Sequence, residues 1–182
     1  MPGHAADRGL TLTEFLAHEG EPDLRYELVG GKLRAMAPPS GEHGRIMLRL
    51  GRRLLERLPP PCQPTGQAGI LLPGRDDTFY EADIAVSCAP QPAGSPWVVD
   101  PVLVVEILSP STKAHDRGQK VPDYMTIPGL REILLIDAER RHVQLVSRVP
   151  EGWLTRDVIG DGQVPLATVP GGITLDEIYG PA

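Results

Sequence analysis

A chain of 182 residues, 41% of them hydrophobic, can bury the core of one domain, and its formal net charge of −6 argues against indiscriminate binding to nucleic acid. No apolar run reaches the roughly 18 residues a spanning helix needs, and Met1–Leu10 lacks an apolar signal core, so a cytoplasmic protein is expected. Cys62 and Cys88 have no CxxC spacing and read as reduced thiols rather than as zinc ligands or a disulfide.

Residues 1–10 read as a flexible N-terminal tail, and residues 11–182 as a single domain. Thr11 and Glu14 stand at capping-box spacing at the head of a short helix over Thr11–His18, with Leu12, Phe15 and Leu16 inward. Arg25–Val29 and Lys32–Ala37 flank Gly30-Gly31, a strong hairpin signal. Glu27 lies in the first of these strands, either facing solvent or belonging to a site. Ser40 is the N-cap expected for a helix running to about Leu58. Ile46, Leu50, Leu54 and Leu58 form its core stripe, helped by Met47 and Leu55. Arg45, Arg49, Arg52, Arg53 and Arg57 take the other face. That face is either simply solvated or follows a phosphate backbone, with Arg45, Arg49 and Arg53 as nucleic-acid-binding candidates. His43, at the helix start, can cap it or donate to a phosphate or a carboxylate.

Pro59-Pro60-Pro61 ends this helix, and strands follow over Gln67–Leu72 and Phe79–Cys88, the latter carrying Asp83. Val102–Val105 reads as a buried strand broken by Glu106, a charge that costs several kcal/mol unless paired or metal-bound. Glu132–Ile136, Arg141–Val146 and Trp153–Val158 suggest an antiparallel meander. Ile173–Tyr179 closes the chain, with Thr174 and Glu177 again at capping-box spacing. The order of elements is that of an α+β or mixed α/β domain.

Two strand carboxylates, Asp83 and Glu106, followed by Lys120 can hold a divalent cation and orient a water. The peptide carbonyl of Ile107 can add a third ligand. The same spacing allows a purely structural ion pair between Glu106 and Lys120 or Arg117, and spacing alone leaves both open.

From the hairpin onward the chain resembles the Uma-two family of endonucleases, within the PD-(D/E)XK restriction-endonuclease-like superfamily. The matching residues are Tyr26-Glu27-Leu28 with Gly31 and Lys32, Pro39-Ser40 with His43, and Ala82-Asp83. Glu106-Ile107-Leu108-Ser109-Pro110-Ser111-Thr112, Asp116, Lys120, Tyr124 and Ile136-Asp137 complete the set. The resemblance implies a mixed β-sheet flanked by helices, with an added N-terminal hairpin. It implies a Mg2+-dependent endonuclease acting on DNA, with Mn2+ able to substitute. Asp83, Glu106 and the Ile107 carbonyl are then the metal ligands, and Asp83, Glu106 and Lys120 the catalytic set. Glu27, His43 and Asp116 are additional candidates.

Leu108 stands where many superfamily members carry the lysine, which the family pattern places instead at Lys120. Ala82 replaces the proline of the usual Pro-Asp pair. Pro122 falls where continuous helix is expected, and a helix beginning before Gly118 would bring a kink near Lys120. A homodimer is expected by analogy with restriction-like nucleases. The rival readings are a catalytically idle protein that binds nucleic acid or a protein partner, and a metal-assisted phosphohydrolase of small substrates.

Overall fold

The computed structural model describes residues 8–18 and 24–181, so most of the expected flexible tail lies outside the described residues. Its last part does not hang free. The amide of Leu10 donates to the Gly31 carbonyl, and a Cβ on Gly9 would lie 2.6 Å from Gly31 Cα, a closeness only glycine permits. α1 (Leu12–Leu16) carries the expected capping box between Thr11 and Glu14, and Phe15 packs on Phe79 at 5.4 Å between ring centroids. Leu16, expected inward, is exposed because the helix ends there, after little more than one turn.

β1 (Tyr26–Val29) and β2 (Lys32–Ala35) form the hairpin over Gly30-Gly31, both at positive φ as a tight two-residue turn demands. α2 (Gly41–Arg57) starts at Ser40, whose hydroxyl accepts from the His43 amide. Its stripe of Ile46, Leu50 and Leu54 is fully buried, whereas Leu55 is exposed and contributes nothing to the core. Positions 46, 50 and 54 stay on one face, while 55 is rotated a further 100° toward solvent.

β3 (Gln63–Leu71) and β4 (Phe79–Ser87) pair antiparallel along their whole length. β3 is longer than expected, because its polar first half is held by the ladder and not by apolar content. Their register sets Gln63 opposite Ser87, so the residues just beyond, Cys62 and Cys88, face each other and form a disulfide. This corrects the expectation of reduced thiols. No sequence spacing announces a pair that sheet register creates across 26 residues.

β5 (Pro101–Leu108) runs antiparallel to β4 and parallel to β6 (Glu132–Asp137). β7 (His142–Val149) and β8 (Gly152–Ile159) extend the sheet as the expected meander. The eight-stranded sheet thus has the order β2-β1-β4-β5-β6-β7-β8, with β3 branching from β4. Alternate residues of β5 serve two cores. Leu103, Val105 and Ile107 pack with α2, and Val104 and Leu108 pack with Tyr124 on the other face.

Between β5 and β6 the chain climbs through α3 (Lys113–His115), a π-helical turn (Asp116–Lys120) and α4 (Val121–Tyr124). β9 (Gln163–Val164), β10 (Ile173–Thr174) and α5 (Leu175–Tyr179) close over α2. Among the described residues no helix is long and apolar enough to cross a membrane.

One detail of the sheet positions everything that follows. The same edge of β4 is shared by two strands. β1 meets it at Phe79, and β5 meets it from Ile84 onward. Between them the sheet forks, and the backbone of Glu81 has no strand to pair with on that side. Its N–H donates instead to Glu27 Oε1 at 3.1 Å, and its carbonyl accepts from Lys120 Nζ at 3.3 Å. Buried backbone groups must find partners, and here side chains supply them.

Candidate active site

Asp83 and Glu106 are the next positions beyond the paired Ile84 and Val105, so they stand side by side on one face of the sheet, just inside the fork. Both line a cleft of about 350 Å3 together with Glu27, His43, Ile107, Asp116 and Lys120. The residues named from the sequence as ligands, catalytic groups and additional candidates therefore converge. They come from β1, α2, β4, β5 and the π-helical turn.

Each acidic side chain is held from a different direction. Asp83 Oδ1 lies 2.9 Å from His43 Nε2, and Oδ2 accepts the Ile107 amide at 2.6 Å. Glu106 Oε1 accepts from the Tyr124 hydroxyl at 2.6 Å and from Lys120 Nζ at 3.1 Å, while Oε2 receives neither. Lys120 also lies 2.6 Å from Glu27 Oε1 and 3.6 Å from Asp116 Oδ1. His115 Nε2 stands 3.6 Å from Glu27 Oε2, short of a hydrogen bond. Tyr80 packs edge-on against Tyr124 at 5.7 Å and donates to Asp123, walling the cluster from below.

One buried ammonium among three carboxylates sets the charge states. Burial pushes Glu106 up to about 8; Lys120 opposes this, while Asp83 and Asp116 add to it. Burial likewise raises Asp116. Burial works to raise Glu27 too, but His115 and Lys120 outweigh it and hold Glu27 below the usual carboxylate range. Burial would discharge Lys120, yet Glu106, Glu27 and Asp116 keep its pKa above the ordinary lysine value. Burial thus favours a proton on Glu106, while the surrounding charges favour the ionised forms of Lys120 and Glu27.

The helix carrying Lys120 does begin before Gly118, and Pro122 does not displace the lysine. The Val121 amide reaches back five residues to the Asp116 carbonyl, and the proline follows in the first turn of α4. The widened turn takes up the missing donor, with Asp116 and Lys120 both buried toward the cleft.

Arg45, Arg49 and Arg53 are not brought to the cleft. Arg45 pairs with Glu42, Arg49 bonds the Tyr179 carbonyl, and Arg53 pairs with Glu56 and Glu177. Glu81 was not singled out in the sequence, although it lies two residues before Asp83 and lines the same cleft. Its carboxylate pairs with Arg25 at the cleft wall.

The donor set suits a hard cation. Among the described residues no three His, Cys, Asp or Glu side chains form a metal-holding group. Asp83, the uncommitted Glu106 Oε2 and the Ile107 carbonyl nevertheless supply oxygen ligands of the kind magnesium takes alongside water and phosphate.

A mixed sheet that forks over clustered carboxylates and a lysine, with helices on both faces, is a nuclease-like fold. Residues 12–177 match the Uma2 family, described as "Putative restriction endonuclease", and the chain belongs to that family. Two relatives come from Synechocystis sp. "Uncharacterized protein slr1290" is 28% identical over 93% of this chain and 91% of its own length. "Uncharacterized protein sll1609" is 29% identical over 86% and 92%. The fold is shared with the crystal structure of "a putative nuclease belonging to DUF820" from Anabaena variabilis ATCC 29413. Its TM-score is 0.77 at 19% identity, over 93% of this chain and 97% of that one.

Proposed function

We propose that this protein is an endonuclease that hydrolyses DNA phosphodiester bonds with Mg2+, or Mn2+ in its place. The observation that carries this reading is the convergence of Asp83, Glu106, Ile107 and Lys120 on one cleft. Asp83, Glu106 Oε2 and the Ile107 carbonyl would hold the cation, which when bound polarises a phosphoryl oxygen and makes a water more acidic. His43 and the Ile107 amide fix the Asp83 carboxylate, and Tyr124 fixes Glu106 through Oε1. Lys120 places a permanent positive charge at the cleft floor, where negative charge develops as the phosphate is attacked. Titration calorimetry is expected to show Mg2+ binding to the wild type and none to Asp83→Ala, with duplex cleavage lost in parallel. Mg2+ binding unchanged in Asp83→Ala would overturn the metal assignment.

Cutting both strands of a duplex suits two sites related by a two-fold axis, so we propose a homodimer as the working unit. Light scattering at micromolar concentration is expected to give twice the chain mass, and a monomer would count against it. We propose that such an activity works in the cytoplasm, where a Cys62–Cys88 disulfide would be an exception to the usual reduced state.

A second reading has one observation behind it. The Lys120 ammonium already fills the space among Glu27, Glu106 and the Glu81 carbonyl, as a structural cation would. In a catalytically idle protein the calorimetric titration would stay flat in the wild type itself.

A further inference from the structure

We propose that Arg34 grips a backbone phosphate of the substrate at the cleft wall, an assignment that deepens the nuclease reading and rests on it. Four basic side chains line the cleft: Arg25, Arg34, His43 and Lys120. Three are already committed. Arg25 is bound to Glu81, His43 to Asp83, and Lys120 to Glu27 and Glu106.

Arg34 is different. It stands directly opposite Glu27 in the β1–β2 hairpin, which puts its side chain on the cleft face. Its nearest carboxylate oxygen, Glu27 Oε2, is 3.7 Å away, beyond hydrogen-bond reach, and the other Glu27 oxygen is taken by Lys120 at 2.6 Å. The Arg34 side chain is 35% exposed, open enough to meet a ligand. Its five N–H donors form a planar fork matched to two phosphate oxygens, and among the described residues none of them is spent on a hydrogen bond.

Substrate electrostatics call for such a group. Glu27, Glu81, Asp83, Glu106 and Asp116 all line the same cleft, so an approaching polyanion meets more negative than positive charge. The arginines of α2 do not relieve this, being paired elsewhere. Among the described residues Arg34 is the one cation lining the cleft that makes no hydrogen bond or close ion pair, so it sets where the phosphate chain lies relative to Asp83 and Glu106. It reads no base, and so contributes affinity and register without sequence preference.

The test compares wild type, Arg34→Ala, Arg34→Lys and Arg25→Ala, all as full chains. Binding of a short fluorescent duplex is measured by anisotropy in EDTA, and cleavage is measured with Mg2+. Arg34→Ala is expected to weaken binding about tenfold or more, the value of a lost charged hydrogen-bonding group. The slope of log affinity against log salt should fall by about one unit. In cleavage, KM should rise with kcat within about twofold, and Arg34→Lys should recover part of the loss because it keeps the charge without the fork. The melting temperature should hardly move, whereas Arg25→Ala, which breaks an existing pair, should lower it. Arg34→Ala that binds and cleaves like wild type overturns the assignment while leaving the nuclease reading intact. A wild type that binds in an Arg34-dependent manner but never cleaves retains the assignment and overturns catalysis. A wild type that does neither overturns both.

Discussion

Lys120→Met is expected to cost about 3–5 kcal/mol of folding stability, the usual penalty for removing one partner from a buried ion pair. Lys120 is 3% exposed, and it is the only cation within contact of both Glu27 and Glu106 among the described residues. Without it Glu27 would be charged and buried against its distant partners, Arg34 and His115, and the Glu81 carbonyl would lose its donor. Urea unfolding in EDTA at neutral pH measures the loss. Adding Glu27→Gln to Lys120→Met should restore part of it, since the charge and its counter-charge then leave together. A loss below about 1 kcal/mol would mean that Lys120 behaves as a solvated surface cation. Because the single variant is crippled structurally, its loss of cleavage alone would not assign Lys120 to chemistry. The diagnostic comparison is turnover in the double variant, which keeps the fold and lacks the ammonium.

In metal-free buffer the wild type is also expected to lose stability as pH rises from about 4.5 to about 8, the span between the ordinary glutamate value and that of folded Glu106. Below this window both folded and unfolded chains hold the proton. Within it the folded state binds the proton more tightly, so raising pH favours unfolding, and above it the whole contribution is gone. Burial is the main cause, with Asp83 and Asp116 reinforcing it and Lys120 and Tyr124 opposing it. Glu106→Gln should flatten the profile through this window. Chemical denaturation at stepped pH measures it, and a slope unchanged by the substitution would show that Glu106 is ionised throughout.

Much of this fold was legible because local rules agreed with the final packing. The Gly30-Gly31 hairpin, the Ser40 cap, the stripe of Ile46, Leu50 and Leu54, and both capping boxes were sound where they were read. What escaped were features created by register between distant segments. Cys62 and Cys88 meet only because β3 and β4 align Gln63 with Ser87. Glu81 joins the cleft only because β1 and β5 leave a gap along β4. At the site, a carboxylate within an apolar strand flagged Glu106 on physical grounds, since such a charge demands a partner. For Glu27 and His43 the chain alone left a site role open beside a bland one, and the family resemblance added weight to them and to Asp116. Arg34 carried no signal at all, because an arginine in a hairpin strand is ordinary until the commitments of its neighbours are known.

The fork in the sheet changes what the presence of these acids in a related chain can testify to. Glu27 and Asp83 do not merely present charge to a cleft; they stand in for a missing strand by accepting the amides of Glu81 and Ile107. Replacing either with an apolar residue orphans a main-chain donor as well as removing a carboxylate. A descendant that abandoned the chemistry would still be under pressure to keep both residues for architectural reasons alone. Their retention is thus compatible with a silent protein, whereas an intact Arg34, on which no backbone group leans, would be the more telling survivor.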